Sequence, residues 1–354
     1  MSAEKRSLPL SLAQISKRYQ WHDLNSESKK MLAYDMIAKA AHTLKGVTHV
    51  TPLLESELLN KRIGFRLLVK AECLQRTGSF KIRGAYVKIA SLTEEERAAG
   101  VVAFSSGNHA QGVAAAASEL GVASTIVMPD DAPAVKLRNT AEYGAKVITY
   151  DRVTGDRAKI ARDVAEETGA VLVPPYDDYV LMSGQGTIGL EIANQLGQRN
   201  TVADALVCPA GGGGLIAGIA TAMRELAPQT RVYSAEPENF DDTRRSLIAG
   251  ERIGNEPGHN SICDSIVTQI PGEKTFPINK KLLTEGFSVS EADIICAMQA
   301  LTSDLKIVTE PGGAAAVAAV LRDRERWKRK TVVAVVSGGN VDLDTLGNLL
   351  KPRA

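Results

Sequence analysis

Apolar residues along this chain gather in short runs closed by turn residues, and alanine-rich stretches with helical spacing separate the runs. The segments 66–72 (RLLVKAE), 101–106 (VVAFSS), 124–129 (STIVMP), 146–150 (KVITY), 170–175 (AVLVPP), 205–209 (ALVCP), 231–236 (RVYSAE) and 331–339 (TVVAVVSGG) read as strands. They are short and apolar, most are rich in β-branched residues, and turn residues bound them. Runs that are apolar throughout, rather than alternating, belong to strands covered on both faces. Between them, a segment such as 108–121 (NHAQGVAAAASELG) reads as helix, and glycine ends the helical stretches at Gly121, Gly144 and Gly169. The alternation predicts an α/β fold with parallel sheets sandwiched between helices. Residues 1–30 are polar and charge-mixed and read as an extension.

Composition narrows the class. The chain has 354 residues, 44% of them hydrophobic and 23% charged, with a formal net charge of +1 and only 5% aromatics. One large core or two joined lobes fit that length. Neither a basic stripe nor a global field favours nucleic acid. No run of about 18 or more apolar residues suggests a membrane span, and the N-terminus lacks the apolar core of a secretory signal. The four cysteines, Cys73, Cys208, Cys263 and Cys296, are scattered without metal-site spacing. Cys208 reads as a small buried hydrophobe. A cytoplasmic protein without structural disulfides is expected.

In doubly covered parallel sheets, ligands bind beyond the carboxyl ends of the strands. Four loops of that kind carry chemistry. The first is TGSFKIRGAY, 77–86, where Lys81 sits between Phe80 and Ile82, with Gly78 and Gly84 nearby. A lysine in a partly desolvated pocket loses basicity and becomes an amine nucleophile; the small neighbours allow close approach to the backbone. An isolated lysine would ordinarily be a solvated surface residue, so the context carries the argument. The second is SSGNHAQG, 105–112, joining a strand end to a helix start. Free main-chain N–H groups there suit a carboxylate, and Ser106 or Asn108 would serve as N-cap. His109 has no second ligand at helical spacing and reads as a hydrogen-bonding or packing residue.

The third is PAGGGGLIAG, 209–218, four consecutive glycines between a strand and an apolar helix. It presents several N–H groups to one anion without side-chain clash, which makes a phosphate cradle. The GxGxxG dinucleotide pattern fits it only loosely, and no Lys-Ser or Lys-Thr follows. The fourth is SGGNVD, 337–342, where Ser337 is either a turn residue or a hydroxyl aimed at a ligand heteroatom. An amine, a phosphate cradle, a carboxylate-binding helix start and a polar strand end together suit an aldehyde cofactor bearing a phosphate, pyridoxal phosphate.

SFKIRGAY, SSGNHAQG, GGGGLIAG and SGGNVD, in this order and at these spacings, resemble the threonine/serine dehydratase and serine racemase family of the tryptophan-synthase-β-like fold, with a likeness running from about Tyr34 to the C-terminus. The resemblance implies two α/β lobes of open parallel or mixed sheet (pyridoxal-phosphate fold type II). A large cofactor-binding domain would span 31–99 and 178–354, and a smaller substrate-gating domain 100–177. It implies Lys81 as the Schiff-base lysine, Phe80 beside the ring and Asn108 at the phenolic oxygen. Gly211, Gly212, Gly213 and Gly214, followed by Leu215, would hold the phosphate, and Ser337 the pyridine nitrogen. Ser105, Ser106 and His109 would sit near the substrate carboxylate, Ser106 being the hydroxyl that faces Cα opposite the lysine in racemases. In AEPENFDD, 235–242, Glu236, the Phe240 carbonyl and Asp242 stand at the family's divalent-cation positions; hard oxygen ligands suit magnesium, calcium or manganese in a structural or activating role.

The activity so implied is dehydration of L-threonine or L-serine to a 2-oxo acid and ammonia by a homodimer or homotetramer. It would be of the catabolic type, since the chain ends soon after SGGNVD without a regulatory domain. Serine racemase is an alternative, with Ser106 as second proton donor. So is a 3-hydroxyaspartate dehydratase, for which Arg157 would supply a cation, although Arg157 also reads as a surface helix arginine. Outside the family, a nicotinamide dehydrogenase would use the glycine run but leaves SFKIRGAY and SGGNVD without a purpose.

Overall fold

Among the described residues ten strands form, and every apolar run named above contains one. The structure, a computed structural model, describes residues 31–105, 107–132, 134–151 and 154–351. In chain order the strands are β1 (Leu53–Glu55), β2 (Arg66–Ala71), β3 (Val101–Phe104), β4 (Ser124–Pro129), β5 (Lys146–Tyr150), β6 (Val171–Leu172), β7 (Ala205–Pro209), β8 (Arg231–Pro237), β9 (Glu285–Val289) and β10 (Thr331–Val336). Two of them the pattern does not announce. β1 is a three-residue antiparallel edge strand, and β9 (EGFSV) carries Gly and Ser, which have little strand preference of their own. β9 forms because β8 offers it a parallel partner, with Tyr233 opposite Glu285. The predicted strand at 170–175 is shorter than expected: only two residues pair, before Pro174 and Pro175, which lack an N–H, take the chain out of the sheet.

The strands divide into two sheets. Six lie in the order β1-β2-β10-β7-β8-β9 and four in the order β5-β4-β3-β6. Apart from β1, all pairings are parallel. The central strands β7 and β10 of the larger sheet are covered on both faces, as their continuous hydrophobicity requires. On β10, Val332, Ala334 and Val336 pack on one side with the helices Glu291–Leu305 and Pro311–Arg322. Val333 and Val335 pack on the other with the helices Tyr179–Gln198 and Gly214–Leu226. Cys208 is fully buried in the second of these cores.

The helix Lys81–Ala90 joins the smaller sheet's core, with Ile82, Ala85 and Ile89 packed among β3 and β4 residues. It also crosses Tyr179–Gln198 at very short range. A Cβ on Gly84 would lie 2.7 Å from the Leu181 carbonyl, and one on Gly184 would lie 2.6 Å from the Arg83 carbonyl. At Gly84, therefore, it is another helix that exploits the missing side chain, and no ligand is required. At Gly78 the close neighbour is the Asn340 side chain, which a Cβ would meet at 2.3 Å. The crossing fixes the start of the Lys81 helix between the two sheets.

Candidate active site

The loops that follow β2, β3, β6, β7 and β10 converge on one cleft of about 1060 Å³, counting its open mouth. Of the residues singled out in the sequence, Phe80, Lys81, Ser105, Asn108, His109, Arg157, the four glycines 211–214, Leu215 and Ser337 all line it. Ser106 lies outside the described residues.

Lys81 opens its helix. Its Nζ donates to the Pro175 carbonyl at 2.7 Å and lies 5.3 Å from the Phe80 ring centroid. Burial brings its pKa down to about 8, against a partial opposing pull from Glu310. An appreciable minority of the amine, far more than for an ordinary lysine, is therefore neutral and nucleophilic near physiological pH. His109 is buried, with Nε2 3.0 Å from the Val173 carbonyl. Burial and the nearby Lys81 push its pKa down to about 3, so it is a neutral hydrogen-bonding group.

The helix Asn108–Glu119 has Gly107 at its N-cap and no capping side chain. This corrects the expected cap. Asn108 is the first helical residue, and its side chain turns elsewhere: Nδ2 donates to Glu310 at 2.6 Å, and Oδ1 accepts from Asn340 at 2.8 Å. The uncapped turn keeps main-chain donors available for an anion. Ser337 is buried at the end of β10, its carbonyl accepting from the Phe80 amide at 3.1 Å. That bond ties the lysine loop to the strand bearing the serine.

The glycine run is a cradle whose shape excludes side chains. Gly213 has φ +89°, in the left-handed region, and a Cβ on Gly212 would fall 2.4 Å from the Tyr176 ring. Among the described residues the amides of Gly212, Gly213 and Gly214 meet no acceptor, as an anion site at a helix start requires. The uncharged cradle, the half-buried amine of lowered basicity and the polar Ser337 fit a phosphorylated aldehyde such as pyridoxal phosphate.

Several lining residues escape sequence reasoning: Tyr176, Lys136, Asp264, Thr268 and Glu310. Lys136 pairs with Asp264 at 3.0 Å. Glu310 is buried, and its Oε2 finds no partner among the described residues. Burial, helped by Asp264, raises its pKa to about 7. A signal for Glu310 did exist. It precedes Pro311 at a helix N-cap, a position where Ser, Thr, Asp and Asn are the usual choices. The others come from separate segments with no local mark.

Outside the cleft, the acidic loop brings Glu236 and Asp242 close together, both buried. Glu236 accepts from the amides of Thr243 and Arg244, each at 2.9 Å. Burial and the Asp242 charge hold its carboxyl well above the usual range. Burial raises Asp242 to about 6, and its Oδ2 is unpartnered among the described residues. No group of three or more His, Cys, Asp or Glu side chains that could hold a metal ion occurs among the described residues.

Comparison with known proteins bears on this geometry. Residues 44–338 match the family model described as pyridoxal-phosphate dependent enzyme. An L-threo-3-hydroxyaspartate ammonia-lyase from a Pseudomonas species is 41% identical over 91% of this chain and 99% of its own length. An L-threonine ammonia-lyase from Thermotoga maritima is 42% identical over 90% of this chain and 78% of its own. The solved structure of maize serine racemase superposes with a TM-score of 0.84 at 38% identity, over 90% of this chain and 96% of that one.

Proposed function

Because the chain belongs to the pyridoxal-phosphate dependent enzyme family, we propose that it is an ammonia-lyase that converts L-threonine or L-serine to 2-oxobutyrate or pyruvate and ammonia. The observation that carries the reading is a half-buried lysine, its pKa brought down to about 8, in one cleft with a glycine cradle whose Gly212–Gly214 amides meet no acceptor among the described residues. The dinucleotide reading of the glycine run falls with the family assignment.

In this reading Lys81 holds the cofactor's aldehyde. The amides of the glycine run hold its phosphate, Asn108 its phenolic oxygen and Ser337 its pyridine nitrogen. Bound there, pyridoxal phosphate supplies an electron sink that makes the substrate's Cα proton removable. The residues do the rest. Ser105, Ser106 and the free amides at the start of Asn108–Glu119 orient the substrate carboxylate. His109, kept neutral by burial, holds its position against the Val173 carbonyl without adding charge. Lys81, once freed, takes the Cα proton at Nζ, for which an amine of pKa about 8 is well matched near neutral pH. Ser337 gives the pyridine nitrogen a hydroxyl rather than an acid, and so keeps the ring neutral and favours prompt loss of the β-hydroxyl over longer-lived side reactions. The net change is loss of ammonia, with the water shed in elimination regained on hydrolysis.

A second reading, 3-hydroxyaspartate as substrate, is favoured by Arg157, a cation that lines the cleft with its guanidinium 5.8 Å from the Phe104 ring centroid. Glu236, Asp242 and the Phe240 carbonyl would hold a magnesium, calcium or manganese ion, since two adjacent buried carboxylates with spare lone pairs repel each other unless a cation or protons intervene. Residues 100–177 would form the gating domain over 31–99 and 178–354 in a cytoplasmic homodimer or homotetramer. The confinement of the smaller sheet to Val101–Leu172 supports that division. Small-angle scattering with and without a substrate analogue reads both points; a monomer that never contracts would remove them.

The deciding assay is 2-oxo acid release from L-threonine, L-serine, D-serine and the 3-hydroxyaspartate isomers, before and after chelation, with Lys81→Ala alongside. Release from threonine or serine that falls at least about 1,000-fold in the variant is expected. Turnover restricted to 3-hydroxyaspartate would move the assignment to the second reading. No oxo acid from any substrate, with chiral inversion of serine instead, would make it a racemase.

A further inference from the structure

The amides of the glycine run are aimed by side chains behind it. Thr275 and Asn279 are fully buried and stand four residues apart on one face of the helix Thr275–Leu282. The Thr275 hydroxyl donates to the Gly212 carbonyl at 2.6 Å, and Asn279 Nδ2 donates to the Gly213 carbonyl at 3.2 Å. Peptide units are planar and trans, so a carbonyl and the N–H of the next residue point in opposite directions. Fixing the Gly212 carbonyl backwards onto Thr275 therefore turns the Gly213 amide forwards, and fixing the Gly213 carbonyl onto Asn279 does the same for the Gly214 amide. Both amides belong to residues lining the cleft, and neither meets an acceptor among the described residues.

The helix that bears these two side chains is itself anchored. Asp177 caps its start, accepting from the amides of Glu273 at 3.1 Å, Lys274 at 2.9 Å and Thr275 at 3.2 Å. Asp177 follows Pro175, whose carbonyl takes the Lys81 amine, and Tyr176, whose ring lies against Gly212. One short segment thus touches the amine, the cradle and the cradle's support.

We propose that Thr275 and Asn279 are positioning residues that hold the Gly212–Gly214 amides in an anion-receiving orientation, with Asp177 fixing the helix that carries them. The assignment rests on the cofactor reading above. Each carbonyl keeps one backbone donor, Gly272 for Gly212 and Ala217 for Gly213. Loss of a side-chain donor therefore loosens the run without leaving an orphaned oxygen, and the effect should be moderate and specific to phosphate.

The test compares pyridoxal phosphate with pyridoxal, which has the aldehyde and ring but no phosphate. Cofactor is stripped from the purified enzyme, and uptake of each compound is followed by visible absorbance in wild type, Thr275→Val, Thr275→Ser and Asn279→Ala. Thr275→Val should weaken pyridoxal phosphate about 5- to 10-fold, the scale of one lost hydrogen bond, and change pyridoxal less than about 2-fold. Thr275→Ser should recover affinity to within about 2-fold of wild type. If Thr275→Val does not fold, Asn279→Ala carries the same comparison. Equal losses for both compounds, or no loss for either, overturn the proposal while leaving the cofactor reading intact. Failure of wild type to take up pyridoxal phosphate at all sinks the cofactor reading and this inference with it.

Discussion

Lys81 and Arg83 stand two residues apart on one helix, Lys81 half-buried at the cleft and Arg83 fully buried, and their surroundings are opposite. Arg83 meets Glu72 at 2.8 and 2.9 Å and Glu191 at 2.6 and 3.1 Å, with further bonds to Thr187 and the His49 carbonyl. Burial opposes its charge, but the two carboxylates outweigh burial and raise its pKa. Lys70 extends the network, donating to Glu191 at 2.6 Å. Lys81 has one carbonyl partner and only a partial opposing pull from Glu310, so burial prevails and its pKa falls to about 8. A buried cation with every donor matched is structural, holding the helix that presents the site. One left short of partners is available for reaction.

The comparison breaks most visibly at Arg83. Arg83→Met strands the buried Glu72 without its ion partner and leaves Glu191 with Lys70 alone, and should cost about 3–5 kcal/mol of stability, measured as a lower urea midpoint. A midpoint like that of wild type would mean that the network is not holding the helix.

Lys81→Met should act in the opposite direction. The native state favours the neutral amine, with a pKa of about 8 against an ordinary 10.5. Between those values the unfolded chain binds more protons than the native one, so wild-type stability rises with pH through that window. The cofactor-free variant should therefore be more stable than cofactor-free wild type by about 1–3 kcal/mol at pH 7, with the gap closing as pH approaches 10.5. Denaturation at pH 7 and at pH 10.5 checks it; a variant less stable at pH 7 would show that Lys81 is held as firmly as Arg83.

Glu310→Gln gives the smallest effect and the sharpest pH signature. Glu310 is raised from 4.5 to about 7. Its stabilising contribution is thus complete below about 4.5 and is lost as pH rises through 7. Relative to Glu310→Gln, cofactor-free wild type should lose about 1–2 kcal/mol between pH 4.5 and pH 8. Parallel stability curves for the two proteins would rule out Glu310 as the titrating group.

The fold was legible in the sequence where a local pattern is forced by burial. β10 reads as apolar throughout because Val332 and Val333 face different helix layers, and its neighbour β7 reads the same way. β9 did not read as a strand, since its pairing is supplied by β8 and not by its own residues. The site was legible where chemistry is packed into one loop, as at Lys81, Asn108, Gly211–Gly214 and Ser337. It was opaque where the partners lie far apart along the chain: Glu310 is 202 residues from the Asn108 amide it receives, and Thr275 is 63 from the carbonyl it holds.

What the sequence determined by itself is therefore the strand–helix alternation, the family, and the loops that bear an amine, a cradle and a helix start. These follow from periodicity and from residue types needed within a few positions of each other. Only the tertiary structure decided that burial without a matching carboxylate lowers the Lys81 pKa, that two carboxylates match the Arg83 charge, and that Asn108 turns to Glu310 and not to its own helix. Such outcomes depend on which groups share a low-dielectric space, and packing alone sets those distances.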